Sequence, residues 1–347
     1  MKIFLVLVAL FFLSANSIAQ TLQEVSRLES GLIFTSDFHV VGEDRAIVIE
    51  PLSDRDVVTL VNLETGNVIA SLRAGRGPGE VHPTGKKVLS RFTNDHLWLW
   101  DSVLRRGMLL DNELLYIEDA DTGEGNFLFA LPISENNVVT WSFLSRSELF
   151  TIRNLDGLTI GETTHSYLYD EFGEFNPIPK NPLSRQGPTV SDGSAIYQGY
   201  FFSSNLLKVD HNGEIQYVTG HEMSIPFPDY DSEPGVIEAP DHGEFPEATM
   251  SLAVNNQYLL VLHSGRIFEE GLVRSMYLQL TGRWEDLNAQ YDHSDRLLVY
   301  DKQNGKFIRE IALPEKAHKI SATDDHLYIY IYSYLKNPVI ITYKMDF

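Results

Sequence analysis

The chain contains no cysteine. That excludes disulfide staples, a thiol nucleophile and the lipid-modified cysteine of an exported lipoprotein. Basic residues are also scarce: 27 Lys and Arg stand against 48 Asp and Glu, a formal net charge of -21. Nucleic acids and anionic membrane surfaces are bound by a surplus of cations, so neither is expected as a partner. A nucleophile elbow of the Gly-x-Ser-x-Gly kind is missing, and none of the 11 histidines shows the i, i+4 helical spacing of a zinc enzyme. Long apolar runs are missing too. The one at the start, Ile3–Leu13, is about half the length that spans a bilayer.

That first run carries the marks of an address. Lys2 is a basic n-region, Ile3–Leu13 an apolar core, and Ser17-Ile18-Ala19 a small-residue cleavage site. The expectation is a signal peptide over 1–19 and a mature chain over 20–347, exported as a soluble periplasmic or extracellular protein, acting as a monomer.

What the rest of the chain has in abundance is one short pattern, a polar turn followed by an alternating apolar strand. It reads Gly42-Glu43-Asp44-Arg45-Ala46-Ile47-Val48, Thr93-Asn94-Asp95-His96-Leu97-Trp98-Leu99 and Glu135-Asn136-Asn137-Val138-Val139-Thr140. It returns at Ser191–Tyr197, Asn255–Leu260 and Asp324–Ile329. Recurrence every roughly 40 to 70 residues is the mark of a propeller or solenoid with variable loops. Downstream lie tight turns with glycine: Glu64-Thr65-Gly66-Asn67, Leu155-Asp156-Gly157, His211-Asn212-Gly213-Glu214 and Gln303-Asn304-Gly305-Lys306. Asn-Gly and Asp-Gly supply the positive φ that short hairpins need. The second repeat has Asp111-Asn112-Glu113 instead. Two hairpins per unit predict an all-β fold, a six-bladed propeller of four-stranded antiparallel blades. The last unit offers strands near Lys316–Thr323, His326–Tyr332 and Val339–Phe347 and then ends one short. Leu22–Glu29 is expected to supply the missing strand and close the ring, removing exposed edges.

Two insertions interrupt the spacing. His221–Ala248 is rich in proline and acid, and His263–Ser294 lies between the second and third strands of the fifth unit. Long loops in a compact domain are commonly lids or binding loops. Asp229-Tyr230-Asp231-Ser232-Glu233-Pro234 begins like a calcium loop, but Pro234 replaces the required glycine and Pro240 the bidentate Glu, so an EF-hand is rejected. No cofactor is predicted. A looser oxygen-ligand calcium site stays open as a divalent-metal candidate. Asp241-His242-Gly243-Glu244 puts an acid–base pair on a loop.

Gly75-Arg76-Gly77-Pro78-Gly79-Glu80 fails as a dinucleotide fingerprint, because Glu80 stands where glycine is needed, and as a phosphate loop, because Lys87 stands where Ser or Thr holds magnesium. It reads as a rigid turn between units, or as a ligand contact through Arg76, Glu80 and His82. This motif, the export signal and the six degenerate units resemble the exported six-bladed β-propellers of Bacteroidetes, the TolB-like and NHL-like families. The resemblance implies a propeller and an exported location, and no settled activity.

Two classes of function stay open on sequence. One is a binding module that recognises a peptide, glycan or protein through loops at one rim. The other is a metal-dependent enzyme of the lactonase or lyase kind at the channel mouth, with a quinone-dependent dehydrogenase behind it. Arg76, Glu80, His82, His242, Glu244, His263 and Arg266 are the candidate ligand-binding residues. The arginines suit carboxylate or sulfate, the His and Glu groups sugar hydroxyls or a metal. The export reading makes a direct prediction. Mass spectrometry of the secreted protein should find Gln20, intact or cyclised, as its first residue; a retained Met1 or a lipid adduct contradicts it.

Overall fold

The computed structural model describes residues 22–29, 37–50, 56–93, 95–122, 127, 129–141, 148–164, 186–219, 225, 246–267, 281, 293–333 and 336–346. Their strands form six four-stranded antiparallel sheets. Blade 1 is β2 (Asp37–Val41), β3 (Arg45–Ile49), β4 (Asp56–Asn62) and β5 (Val68–Arg73). Blade 2 is β6 (Lys87–Arg91), β7 (His96–Asp101), β8 (Arg106–Asp111) and β9 (Tyr116–Ala120). Blade 3 is β10 (Phe129–Pro132), β11 (Asn137–Trp141), β12 (Glu148–Asn154) and β13 (Thr159–Thr164). Blade 4 is β14 (Thr189–Ser191), β15 (Ala195–Tyr200), β16 (Ser203–Asp210) and β17 (Ile215–Thr219). Blade 5 is β18 (Pro246–Val254), β19 (Tyr258–Ile267), β20 (Ser294–Asp301) and β21 (Phe307–Ala317). Blade 6 is β22 (Lys319–Ala322), β23 (His326–Ser333) and β24 (Lys336–Lys344), completed by β1 (Gln23–Leu28) from the other end of the chain.

The expected closure is present. β1 lies antiparallel to β24, with Gln23 opposite Lys344 and Leu28 opposite Ile340. Blade 6 differs from the expected bounds: β24 runs Lys336–Lys344 and not Val339–Phe347, and its first strand starts later. β21 runs on to Ala317, which pairs with Ser294, so β22 begins only at Lys319. The hairpin glycines behave as their turns require, with φ of 73° at Gly66, 79° at Gly157, 82° at Gly213 and 69° at Gly305. Where blade 2 lacks the glycine, Leu114 takes the positive φ itself, 62°. Asp111 holds that turn, its Oδ1 accepting from the Glu113 and Leu115 amides at 2.8 Å each.

The second strand of each blade explains how the ring packs. Side chains of a strand alternate between its two faces, and here both faces meet another blade. Trp98 and Trp100 of β7 enter the cluster shared with blades 3 and 4, whereas Leu97 and Leu99 enter the cluster shared with blade 1. β19 divides the same way: Leu260 and Leu262 face blade 6, Leu259 and Val261 face blade 4. So do Ala46 and Val48 against Ile47 and Ile49 in β3. Each such Leu, Ile or Val, fully buried, contributes about 1.5–3 kcal/mol. Gly107 is part of the same packing, because a Cβ there would lie 2.1 Å from the Trp98 ring. The fourth strands are different in kind: Val68, Ile69, Tyr116 and Ile117 are exposed on the outside of the ring.

Polar bonds cross every junction between neighbouring blades. Arg45 pairs with Glu113 between blades 1 and 2. Trp98 Nε1 donates to the Ala130 carbonyl at 2.7 Å between blades 2 and 3. Thr163 Oγ1 donates to the Gly213 carbonyl at 2.7 Å between blades 3 and 4. Lys302 meets Asp192 at 3.0 Å between blades 5 and 4. Near the axis, serines on first strands satisfy backbone groups of the next blade. Ser251 Oγ accepts from the Ile320 amide and Ser321 Oγ from the Val40 amide, both at 3.1 Å. Buried backbone groups need such partners wherever no ladder supplies one.

Candidate functional site

Antiparallel order fixes what each end of the ring carries. Connections between blades, and loops between second and third strands, emerge at one end, the loop end. The turns after first and third strands emerge at the other, the turn end. Residues 75–82, Arg266 and the starts of the first strands are therefore at the loop end, where the candidate residues were expected to converge.

The glycine-rich segment is held as a turn. Glu80 Oε2 accepts from the backbone amides of Arg76 and Gly77, at 2.9 and 2.7 Å. Gly75 is bonded to Val81 across the turn at 2.9 Å. A Cβ at Gly75 would lie 2.0 Å from that same carboxylate. Arg106 of β8 closes the other side, donating to the Gly77 and Glu80 carbonyls at 2.6 Å each and pairing with Asp119 at 3.1 Å. Glu80 thus belongs to the turn, while Arg76 is exposed on it. His82 Nδ1 accepts from the Thr84 amide at 3.2 Å. His263 is buried, its Nε2 2.8 Å from Ser204 Oγ, which also accepts from the Ile225 amide at 3.0 Å. It joins blade 5 to blade 4. Arg266 is exposed, opposite Glu247 in the β18–β19 ladder. His242 and Glu244 lie outside the described residues, as do the calcium-like loop at 229–234 and most of both insertions.

A cavity of about 870 Å³ runs down the axis of the ring. Every blade's first strand or its flank contributes to it: Asp37 and His39, Lys86 and Arg91, Phe129, Thr189 and Ser191, Met250 and Ser251, Lys319 and Ser321. Charge is unevenly spread along it. Glu43, Glu135, Asp192, Asp324 and Asp325 line the turn end. There Asp192 is engaged by Lys302, and Asp324 Oδ1 accepts from the Asn256 amide at 3.0 Å. Asp37, Lys86 and Lys319 stand at the loop end, where their strands begin, and His39 and Arg91 lie deeper.

The protein around Asp37, His39 and Lys86 shifts their proton affinities. Burial raises the Asp37 carboxyl above its ordinary range, against the pull of Lys319 and Lys86 and of the Phe38 amide, which donates to Asp37 Oδ1 at 3.0 Å. Burial lowers Lys86, and Lys319 lowers it further while Asp37 opposes both. His39 is brought down to about 4 by burial and then by Arg91. Among the described residues no group of three or more His, Asp or Glu is placed to hold a metal ion.

Sequence reading passed over Asp37, His39, Lys86, Arg91 and Lys319. The available signal was alternation: Asp37 and His39 are partly exposed, while Phe38 and Val40 between them are buried. A polar face on the first strand of a propeller unit points at the axis.

Fold and cavity together define a six-bladed β-propeller with a charged axial channel. No protein-family model matches the chain, and no curated protein matches it. Solved structures do. A member of the DUF4221 family from Bacteroides vulgatus is similar over 93% of this chain and 97% of its own, at 11% identity and a TM-score of 0.58. A Bacteroides fragilis protein named for predicted export is similar over 94% of this chain and 95% of its own, at 10% identity and a TM-score of 0.51. At such identities the likeness is one of fold. Among the described residues no helix is long and apolar enough to cross a membrane.

At the loop end the boundary of blades 5 and 6 holds a second titratable group. His318 is brought from 6.5 to about 4 by burial, then by His293 and Lys319. Its ring lies 5.4 Å from that of His293, and its Nδ1 accepts from the Tyr332 amide at 3.1 Å, which requires the neutral ring. A histidine depressed in the fold is protonated more readily when unfolded. Its contribution is therefore complete above 6.5 and is lost as pH falls from there towards 4. Urea unfolding of wild type and His318→Gln should diverge in slope by about 1.4 kcal/mol per pH unit in that window. Identical pH profiles contradict the assignment.

Proposed function

We propose that the chain is an exported binding module that takes its ligand into the axial channel from the loop end. The observation that carries this reading is the cavity itself. It is of a size that holds a small molecule or the tip of a peptide or glycan, and it is lined by polar and charged side chains from several blades. A propeller core packs itself through the faces between its blades, as the alternating second strands do here, so charged groups on the axis have no packing role to fill. Export is supported by the Met1–Ala19 pattern and agrees with the name of the Bacteroides fragilis neighbour. The net charge of -21 and the acidic turn end favour ligands that approach from the loop end unless they are cationic. Arg76 and Arg266, exposed at that end, are outer contacts for the same ligand.

Screening the mature chain against peptide, glycan and small-molecule collections tests the reading, with His39→Trp as the companion variant. His39 faces the middle of the channel, so the larger ring narrows it. At least one ligand should bind saturably, be recovered chemically unchanged and be lost in the variant. A ligand that is consumed points to an enzyme. Binding that His39→Trp leaves intact removes the channel from the account.

A further inference from the structure

We infer that the loop end of the channel binds the oxyanion group of a small molecule, a carboxylate or a phosphate, between Lys86 and Lys319. This rests on the channel being a ligand site. Lys86 comes from blade 2 and Lys319 from blade 6, on either side of blade 1. Both act on Asp37 of blade 1, and Lys319 acts on Lys86, so the three groups share one electrostatic neighbourhood.

Some of this chain's described cations are ion-paired and others are not, and these two lysines are of the second kind. Arg27 is bound to Glu24 and Glu315, Arg45 to Glu113, Arg106 to Asp119, Arg296 to Glu310 and Lys302 to Asp192. Neither Lys86 nor Lys319 has a described carboxylate within ion-pair distance, in a chain with 48 acidic residues. Asp37 is one countercharge for two ammonium groups that repel each other. Burial lowers the proton affinity of Lys86, and the charge of Lys319 lowers it further. An arriving oxyanion relieves the repulsion and supplies charge-assisted hydrogen bonds.

Chemistry and direction agree with that assignment. Lysines are compact point charges that suit a carboxylate or phosphate without demanding one fixed orientation. The acidic turn end repels an anion, while the loop end draws it in, so the field along the channel sets its entry side. Arg91 stands further along, near His39, and offers a second positive group to an anion longer than the lysine pair.

The test is calorimetric titration of the mature chain, at low ionic strength, with inorganic phosphate and separately with citrate. Saturable binding of at least one is expected, weakened about tenfold or more by Lys86→Met and by Lys319→Met, and retained by Lys86→Arg. Phosphate binding alone assigns the phosphate class, and citrate alone the carboxylate class. Methionine keeps the stem of the lysine, and thermal unfolding of each variant confirms that the ring is intact. The inference is overturned if neither anion binds saturably, or if both methionine variants bind as wild type does. A neutral ligand that spares both variants and is lost in His39→Trp overturns the anion class while leaving the binding module standing.

Discussion

Ring closure depends on a strand of six residues. β1 pairs with β24, so the last blade is completed by the beginning of the chain. Without it β24 presents an unpaired edge, and the ladders elsewhere hold each blade but not the circle. The strand is also tied sideways. Arg27 on β1 bonds Glu24 of the same strand and reaches Glu315 on β21, linking blade 6 to blade 5. These groups are partly exposed, so they steer the strand into register more than they stabilise it. The hydrophobic term is larger: Leu28 is buried among Phe38, Tyr330 and Ile340, where blades 6 and 1 meet.

The charged end of the channel straddles that seam. Lys319 belongs to the closing blade, Asp37 to the first and Lys86 to the second. Their mutual influence exists because closure sets blade 6 beside blade 1, where Ser321 Oγ takes the Val40 amide and Tyr328 Oη donates to the Glu43 carbonyl. An open ring would part Lys319 from the other two. The binding chemistry proposed for the channel is thus a property of the closed circle and not of any one blade.

The fold was legible in the sequence because its determinants are local. Hairpin turns need positive φ, and Gly66, Gly157, Gly213 and Gly305 spell it out. Second strands sandwiched between blades are apolar at successive positions, as in Leu97-Trp98-Leu99-Trp100. Even the weak second unit showed itself, though its solution, a left-handed Leu114 held by Asp111, was not readable. The site was much less legible. The sharpest motif, Gly75–Glu80, is sharp because a carboxylate must fit a cradle of backbone amides, a demand of the turn itself. His263 reads as a free functional group in sequence, yet it lies at a blade junction against Ser204. Lys86 and Lys319 carry no motif, and only the ring brings them near one another. Burial and long-range juxtaposition are what a one-dimensional reading lacks.

The closure claim is tested most directly by hydrogen exchange followed by mass spectrometry on the mature chain. If β1 is an integral strand of blade 6, peptides covering Gln23–Leu28 exchange more slowly than a free tail, as the outer strands of the other blades do, and peptides covering Lys336–Lys344, paired on both sides, exchange more slowly still. If the Gln23–Leu28 amides exchange like a free tail while β24 stays protected, the ring is not closed by this strand, and the account of the channel that depends on it fails.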